Sequence, residues 1–119
     1  ELLQRQTEKA ADIIHITDYV AKLGSKKHIA YAASKAALQN LTHSFASLLA
    51  PDIKVNAIAP ALVMFNRDDS DSYKQKAISK ALLQKEGGVQ EVINAVNFLM
   101  NSQYTTGRTL HLDGGRHLV

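Results

Sequence analysis

The spacing of apolar and polar positions changes along the chain, and each change marks an element. Asp12-Ile13-Ile14-His15-Ile16-Thr17 is a β-branched run without strict polar alternation, the pattern of a strand covered on both faces in a parallel sheet. From about Ile29 to Leu49 the apolar positions Ala37, Leu38, Leu41, Phe45, Leu48 and Leu49 keep the helical period, and Pro51 stops the helix. The face bearing Leu41, Phe45 and Leu48 is expected to be mostly core. Ile53 to Ala59 reads as a second buried strand, ended by Pro60. Strand, long helix and strand make a βαβ unit, which requires a right-handed parallel crossover.

Around this unit the signals are shorter. Glu1 to Lys9 reads as the last turns of a helix whose start is missing, which hints at a truncated chain. Asp68-Asp69-Ser70-Asp71 looks like a turn and helix start, followed by a polar helix carrying Ala77, Ile78, Ala81, Leu82 and Leu83. The stretch from Leu62 to Gly88 is long enough to be a lid over a ligand, or a solvated connecting helix. Val89 to Met100 is a helix with Val92, Val96, Leu99 and Met100 on one face, and Thr109 to Leu112 is a short strand before Asp113-Gly114-Gly115. The order β-α-β-(α)-α-β gives an α/β fold with three parallel strands and crossover helices. No repeat or linker divides the chain, so residues 1–119 read as one unit.

Composition changes this picture little. With 119 residues, 45% hydrophobic and 21% charged, the chain suits a single small domain with a modest core. It has no cysteine, which excludes a disulfide framework and a thiolate metal site. No run reaches membrane-spanning length and the first residues lack secretory character, so a cytoplasmic location is expected. The net charge of +3 raises the question of nucleic acid. The 14 basic residues are scattered among 11 acidic ones, without a basic run interleaved with aromatics, and an ordinary mixed surface is the better reading.

Candidate chemistry centres on Tyr31-Ala32-Ala33-Ser34-Lys35. On a helix, positions i and i+4 share a face, so a phenol and an ammonium are held one turn apart. A nearby cation favours the phenolate of a group whose free pKa is about 10, which brings proton transfer closer to working pH. Taken alone, such a pair is usually a solvated helix face. Asp18 and Tyr19 stand at the carboxyl end of the first strand, and ligands of open α/β sheets bind in the crevice beyond such ends. His15 and His111 read as packed or hydrogen-bonded strand residues, His43 as an outer helix residue, and His28 and His117 as flanking the site; no set has zinc spacing.

Tyr31-x-x-Ser34-Lys35, Val55-Asn56-Ala57-Ile58-Ala59-Pro60, Thr106-Gly107 and Asp113-Gly114-Gly115, in this order, resemble the second half of a short-chain dehydrogenase/reductase. The resemblance implies the carboxyl-terminal half of a Rossmann-like doubly wound sheet. It implies that Tyr31 donates a proton to the substrate as a nicotinamide donates hydride, and that Lys35 lowers the Tyr31 pKa and holds the nicotinamide ribose. Pro60, Ala61 and Leu62 match the stretch beside the nicotinamide, with Ala61 where the family usually has glycine. Relatives are commonly tetramers or dimers, so a homo-oligomer is implied as well.

Thirteen residues before the tyrosine, where most of the family has a serine that binds a carbonyl, this chain has Asp18. An ionised carboxylate only accepts hydrogen bonds and would repel a carbonyl oxygen gaining negative charge. It suits a ring rich in N–H donors whose C=N bond gains hydride at carbon and a proton at nitrogen. Asp18, Tyr31 and Lys35 together are similar to the pteridine reductase branch. That resemblance implies NADPH-dependent reduction of a dihydropterin, such as 7,8-dihydromonapterin or dihydrofolate, with Asp18 and Tyr31 contacting the substrate. A carbonyl reductase is the alternative substrate class, and a non-catalytic module that only assembles or binds nucleic acid is the alternative function class. The family's strand, glycine-rich turn and helix, which receive the cofactor pyrophosphate, have no counterpart here: Gly87-Gly88 and Gly114-Gly115 lie in other contexts. The isolated chain is therefore expected to be an inactive partial domain, with an unpaired edge where the first strands of a full sheet would lie.

Overall fold

The computed structural model describes residues 11–119, so the helix expected over Glu1 to Lys9 lies outside the described residues. Three strands, β1 (Ala11–Ile16), β2 (Ile53–Pro60) and β3 (Thr109–Leu112), form a parallel sheet in the order β1-β2-β3. Ala11 faces Ile53 at one end of the first pair, and Pro60 faces Leu112 at the far end of the second. Four helices connect or flank them: α1 (Val20–Leu23), α2 (Ile29–Leu49), α3 (Asp71–Ile78) and α4 (Val89–Asn101); a 3-10 turn, Arg116–Leu118, follows β3.

Because side chains alternate along a strand, each face of the sheet has its own core. On one face Ala11, Ile53 and Val55 pack with Ala46 of α2, joined by Ile13 and Leu49. On the other, Ile58 packs with Ala95 and Leu99 of α4, joined by Ile14, Val96, Leu110 and Leu112. The middle strand is covered on both sides, and Val55, Ala57, Ile58 and Ala59 are fully buried. This is the doubly wound arrangement that near-continuous apolar strands require.

Several sequence expectations are corrected in detail. Leu41, Phe45 and Leu48 are exposed, Leu48 to 73%. The buried positions of α2 are Ala32, Thr42 and Ala46. Small side chains let the helix axis approach the sheet closely, and this rotates the bulky positions outward. Likewise Met100 is exposed while Ala95 and Leu99 carry the α4 contact. Ile16 is exposed because β1 is an edge strand among the described residues. The polar helix α3 stops at Ile78, before Ala81, Leu82 and Leu83, which lie in turns. Its start follows expectation, with the Ser70 side chain accepting the Tyr73 N–H at 3.2 Å.

Polar contacts lock the layers in register. Fully buried Asn56 donates from Nδ2 to the Thr105 carbonyl (2.9 Å) and accepts the Arg108 N–H at Oδ1 (3.0 Å). Thr106 Oγ1 accepts the Val55 N–H at 3.0 Å, and the Gly107 N–H reaches the Val55 carbonyl at 2.7 Å. Lys54 bonds the carbonyls of Leu99 (2.8 Å) and Ser102 at the carboxyl end of α4 and pairs with Asp12 at 3.0 Å. A cation there satisfies the helix's orphan carbonyls and the negative end of its dipole.

Candidate active site

The ends of β1 and β2 bring the predicted residues together. Past Ile16, Thr17 continues along β2 through its N–H to the Ile58 carbonyl (2.8 Å), and the Tyr19 N–H bonds the Pro60 carbonyl (3.0 Å). Asp18, held between these two anchors, turns its carboxylate toward the start of α2. Its Oδ1 accepts the Val20 N–H at 2.9 Å, which opens the short helix α1. Its Oδ2 accepts the Tyr31 hydroxyl at 2.7 Å, so two residues thirteen apart in sequence meet directly.

Lys35, one turn along α2 from Tyr31, donates from Nζ to the Ile16 carbonyl at 3.1 Å, and its ammonium lies 5.7 Å from the centre of the Tyr31 ring. One ammonium proton is thereby committed to β1, and two remain for a ligand. Ser34 bonds back to the Tyr31 carbonyl at 2.7 Å, within the helix. The Tyr31 pKa is raised above the ordinary tyrosine value, by the hydrogen bond to Asp18 first, then by burial and by the negative charge of Asp18. This reverses the lowering expected from Lys35 alone: the carboxylate touches the phenol oxygen, while the ammonium is turned to a backbone carbonyl.

His15, expected to be a packed or hydrogen-bonded strand residue, supports this geometry. His15 Nδ1 lies 2.9 Å from Thr42 Oγ1 on α2. Thr42 Oγ1 also lies 3.1 Å from the Leu38 carbonyl one turn back on α2, so the hydroxyl sits between the helix backbone and the His15 ring. The bond ties β1 to the helix that carries Tyr31 and Lys35, and burial lowers the His15 pKa, favouring the neutral ring. His111, by contrast, is exposed on β3. His28 is exposed just before α2, and His117 bonds Asp113 at 2.7 Å.

Pro60, Ala61 and Leu62 leave the middle strand beside this cluster. The Ala61 N–H bonds the Leu112 carbonyl (3.0 Å), and the Leu62 carbonyl accepts the Gly87 N–H (2.9 Å). Residues 62–88 thus form an excursion whose ends are pinned to each other. Its return limb closes on the turn after β3, where the Leu83 N–H bonds the Gly114 carbonyl at 3.0 Å. Gly114 and Gly115 both have positive φ, and a Cβ on Gly115 would stand 3.1 Å from Leu82 side-chain carbons, so glycine serves both backbone shape and close approach. Under this excursion lies a cavity of about 320 Å³ lined by Ala61, Leu62, His111, Asp113 and Arg116 among others. Asp18, Tyr31 and Lys35 do not line it. Arg116 also stacks over the Tyr19 ring at 4.6 Å, which links the cavity wall to the residue after Asp18.

Comparison with known proteins agrees with this architecture. Residues 1–117 match a family model described as enoyl-(acyl carrier protein) reductase. The chain is 56% identical over 117 residues to dihydromonapterin reductase of Escherichia coli O6:K15:H31 (strain 536), covering 98% of this chain and 49% of that protein. It is 56% identical over 118 residues to the dihydromonapterin reductase of Enterobacter sp. (strain 638), covering 99% and 49%. Among solved structures, FolM alternative dihydrofolate reductase 1 from Brucella canis, complexed with NADP, superposes with a TM-score of 0.86 at 32% identity, over 99% of this chain and 48% of that one. The chain spans about half the length of the curated relatives it matches. With the parallel doubly wound sheet, the ordered motifs and a family match over almost every residue, the chain belongs to the short-chain dehydrogenase/reductase family.

Proposed function

We propose that this chain is the carboxyl-terminal, catalytic-residue-bearing part of an NADPH-dependent reductase that converts a dihydropterin to the tetrahydropterin. The observation that carries the reading is the 2.7 Å hydrogen bond from Tyr31 to Asp18. It puts a proton-bearing phenol and a hydrogen-bond-accepting carboxylate on one small surface, as a ring with N–H donors and a protonatable nitrogen requires. The dihydromonapterin reductases and the NADP-bound FolM structure similar to the chain support the same choice.

The nicotinamide end of the cofactor fits the residues present. Lys35 has two free ammonium protons for ribose hydroxyls, and Pro60, Ala61 and Leu62 offer a largely apolar strip at the strand end. When bound, the cofactor supplies the hydride. A phosphate cradle is lacking among residues 11–119, where no strand runs through a glycine-rich turn into a helix; we assign it to chain outside this sequence.

Tyr31 holds the proton that the pterin nitrogen receives. Its raised pKa keeps that proton in place at neutral pH until the substrate replaces Asp18 as acceptor. Asp18 then accepts from ring N–H groups and orients them, and Lys35 stabilises the phenolate left behind. Among the described residues no helix is long and apolar enough to cross a membrane, and we place the protein in the cytoplasm. The exposed Leu41, Phe45 and Leu48 favour assembly into a homo-oligomer, a dimer or tetramer.

The deciding experiment is NADPH oxidation by the intact reductase that carries this sequence, with 7,8-dihydromonapterin, dihydrofolate and a ketone panel side by side. Dihydropterin turnover above ketone turnover is expected. Preference for ketones would replace the pterin reading with carbonyl reduction.

A further inference from the structure

Positions 19–51 carry Lys22, Lys26, Lys27 and Lys35 and not one Asp or Glu. Three of these lysines lie on the stretch that joins Asp18 to Tyr31. Residues 19–30 leave from Asp18 and return to Tyr31, whose side chains touch, so this excursion begins and ends at the reacting groups. Lys22 stands on α1 four residues beyond Asp18. Lys27 stands four residues before Tyr31, and since each residue spans at most about 3.3–3.6 Å, its Cα lies within roughly 14 Å of that of Tyr31.

Lys22, Lys26 and Lys27 are all exposed, and among the described residues none of them is held in an ion pair. The turn that presents them is shaped by Gly24, with φ of +77°, and by Ser25, whose hydroxyl accepts the His28 N–H at 3.2 Å. Asp18, where the stretch begins, is engaged by Tyr31 and Val20. On the other flank Lys85 and Arg116 share a cavity wall with Glu86, Glu91 and Asp113, so their charge is offset. The lysines of the 22–27 stretch thus carry positive charge without an ion-pair partner among the described residues, and such charge attracts anions by its field as well as by contact.

We propose that Lys22, Lys26 and Lys27 form a cationic rim that binds the carboxylate tail of a dihydrofolate-type substrate while Asp18 and Tyr31 hold its pterin ring. The inference rests on the pterin-reductase reading and sharpens it: the rim contributes to binding of a pterin with an anionic tail and nothing to one with a neutral hydroxylated side chain. Exposed ion pairs are weak, and each lysine is worth roughly 1.4- to 5-fold in affinity.

The test compares the intact reductase with its Lys26→Gln/Lys27→Gln variant, measuring KM for dihydrofolate, 7,8-dihydromonapterin and NADPH. The ratio of the dihydrofolate KM to the dihydromonapterin KM should rise about 2- to 25-fold in the variant. Added salt should raise that ratio in the unmodified enzyme and leave it nearly flat in the variant. An unchanged ratio overturns the rim. A rise confined to the NADPH KM also overturns it, because the lysines would then serve cofactor phosphates. Failure of the unmodified enzyme with both pterins would defeat the pterin reading and the rim with it, whereas an unchanged ratio in an active enzyme defeats the rim alone.

Discussion

Replacing Asn56 by Asp should make the stability of this protein strongly pH-dependent. Asn56 is fully buried in the middle strand that delivers Pro60 to the site. Its two partners fix its orientation: a backbone N–H (Arg108) must face an oxygen, and a backbone carbonyl (Thr105) must face the NH2 group. In the Asp variant one carboxyl oxygen still accepts from Arg108, but the other confronts the Thr105 carbonyl. Ionised, the group is a buried charge with two acceptors opposed. Protonated, its O–H donates to Thr105 and restores the lost bond. The folded-state pKa is therefore raised above the unfolded value of about 3.9. A group with a raised folded pKa contributes stability that is complete below the unfolded pKa and is lost as pH rises through the folded one.

Relative to the unmodified protein, Asn56→Asp should thus lose about 1.4 kcal/mol per pH unit between those two pKa values. Asn56→Ala, which orphans a buried donor and acceptor at about 1–3 kcal/mol each, should lose roughly 2–6 kcal/mol regardless of pH. Denaturant unfolding of the three proteins from pH 4 to pH 7 reads both quantities. A constant Asp-minus-Asn difference across that range, or an Ala variant within about 0.5 kcal/mol of the original, would refute the assignment of Asn56 as the pin between β2 and the 105–108 loop.

The site yields further expectations. Tyr31→Phe keeps the ring and removes the proton, so dihydropterin turnover in the NADPH oxidation assay should fall by roughly 10²- to 10⁴-fold; retention of more than a tenth would refute the acid role. Asp18→Ser should shift preference from pterins toward carbonyl substrates, and unchanged pterin turnover would remove Asp18 from the mechanism. Because the Tyr31 pKa is raised, its contribution to folding is complete below about pH 10 and is lost as pH climbs through the folded value. Tyrosinate absorbance, taken as the difference from Tyr31→Phe, should place Tyr31 above the ordinary range and bring it down in Asp18→Ser; titration below that range would refute the Asp18 contact.

Much of this protein was legible in one dimension because local patterns carry it. The β-branched runs before Asp18 and Pro60, the long helical period ended by Pro51 and the Tyr31–Lys35 spacing are short-range properties that folding preserves. The resemblance to short-chain dehydrogenases/reductases, rather than any local pattern, put Asp18 and Tyr31 in one site. What only the tertiary structure decided depends on which surfaces meet. The helical period pointed to Leu41, Phe45 and Leu48 as the core face, whereas the folded chain buries Ala32, Thr42 and Ala46, because close approach of the helix selects small residues. The i,i+4 rule placed Lys35 beside Tyr31 but could not foresee that Ile16 would take the ammonium while Asp18 took the phenol. The shift of the Tyr31 pKa upward instead of downward follows from that exchange of partners, since a contact at 2.7 Å outweighs a charge held across the ring.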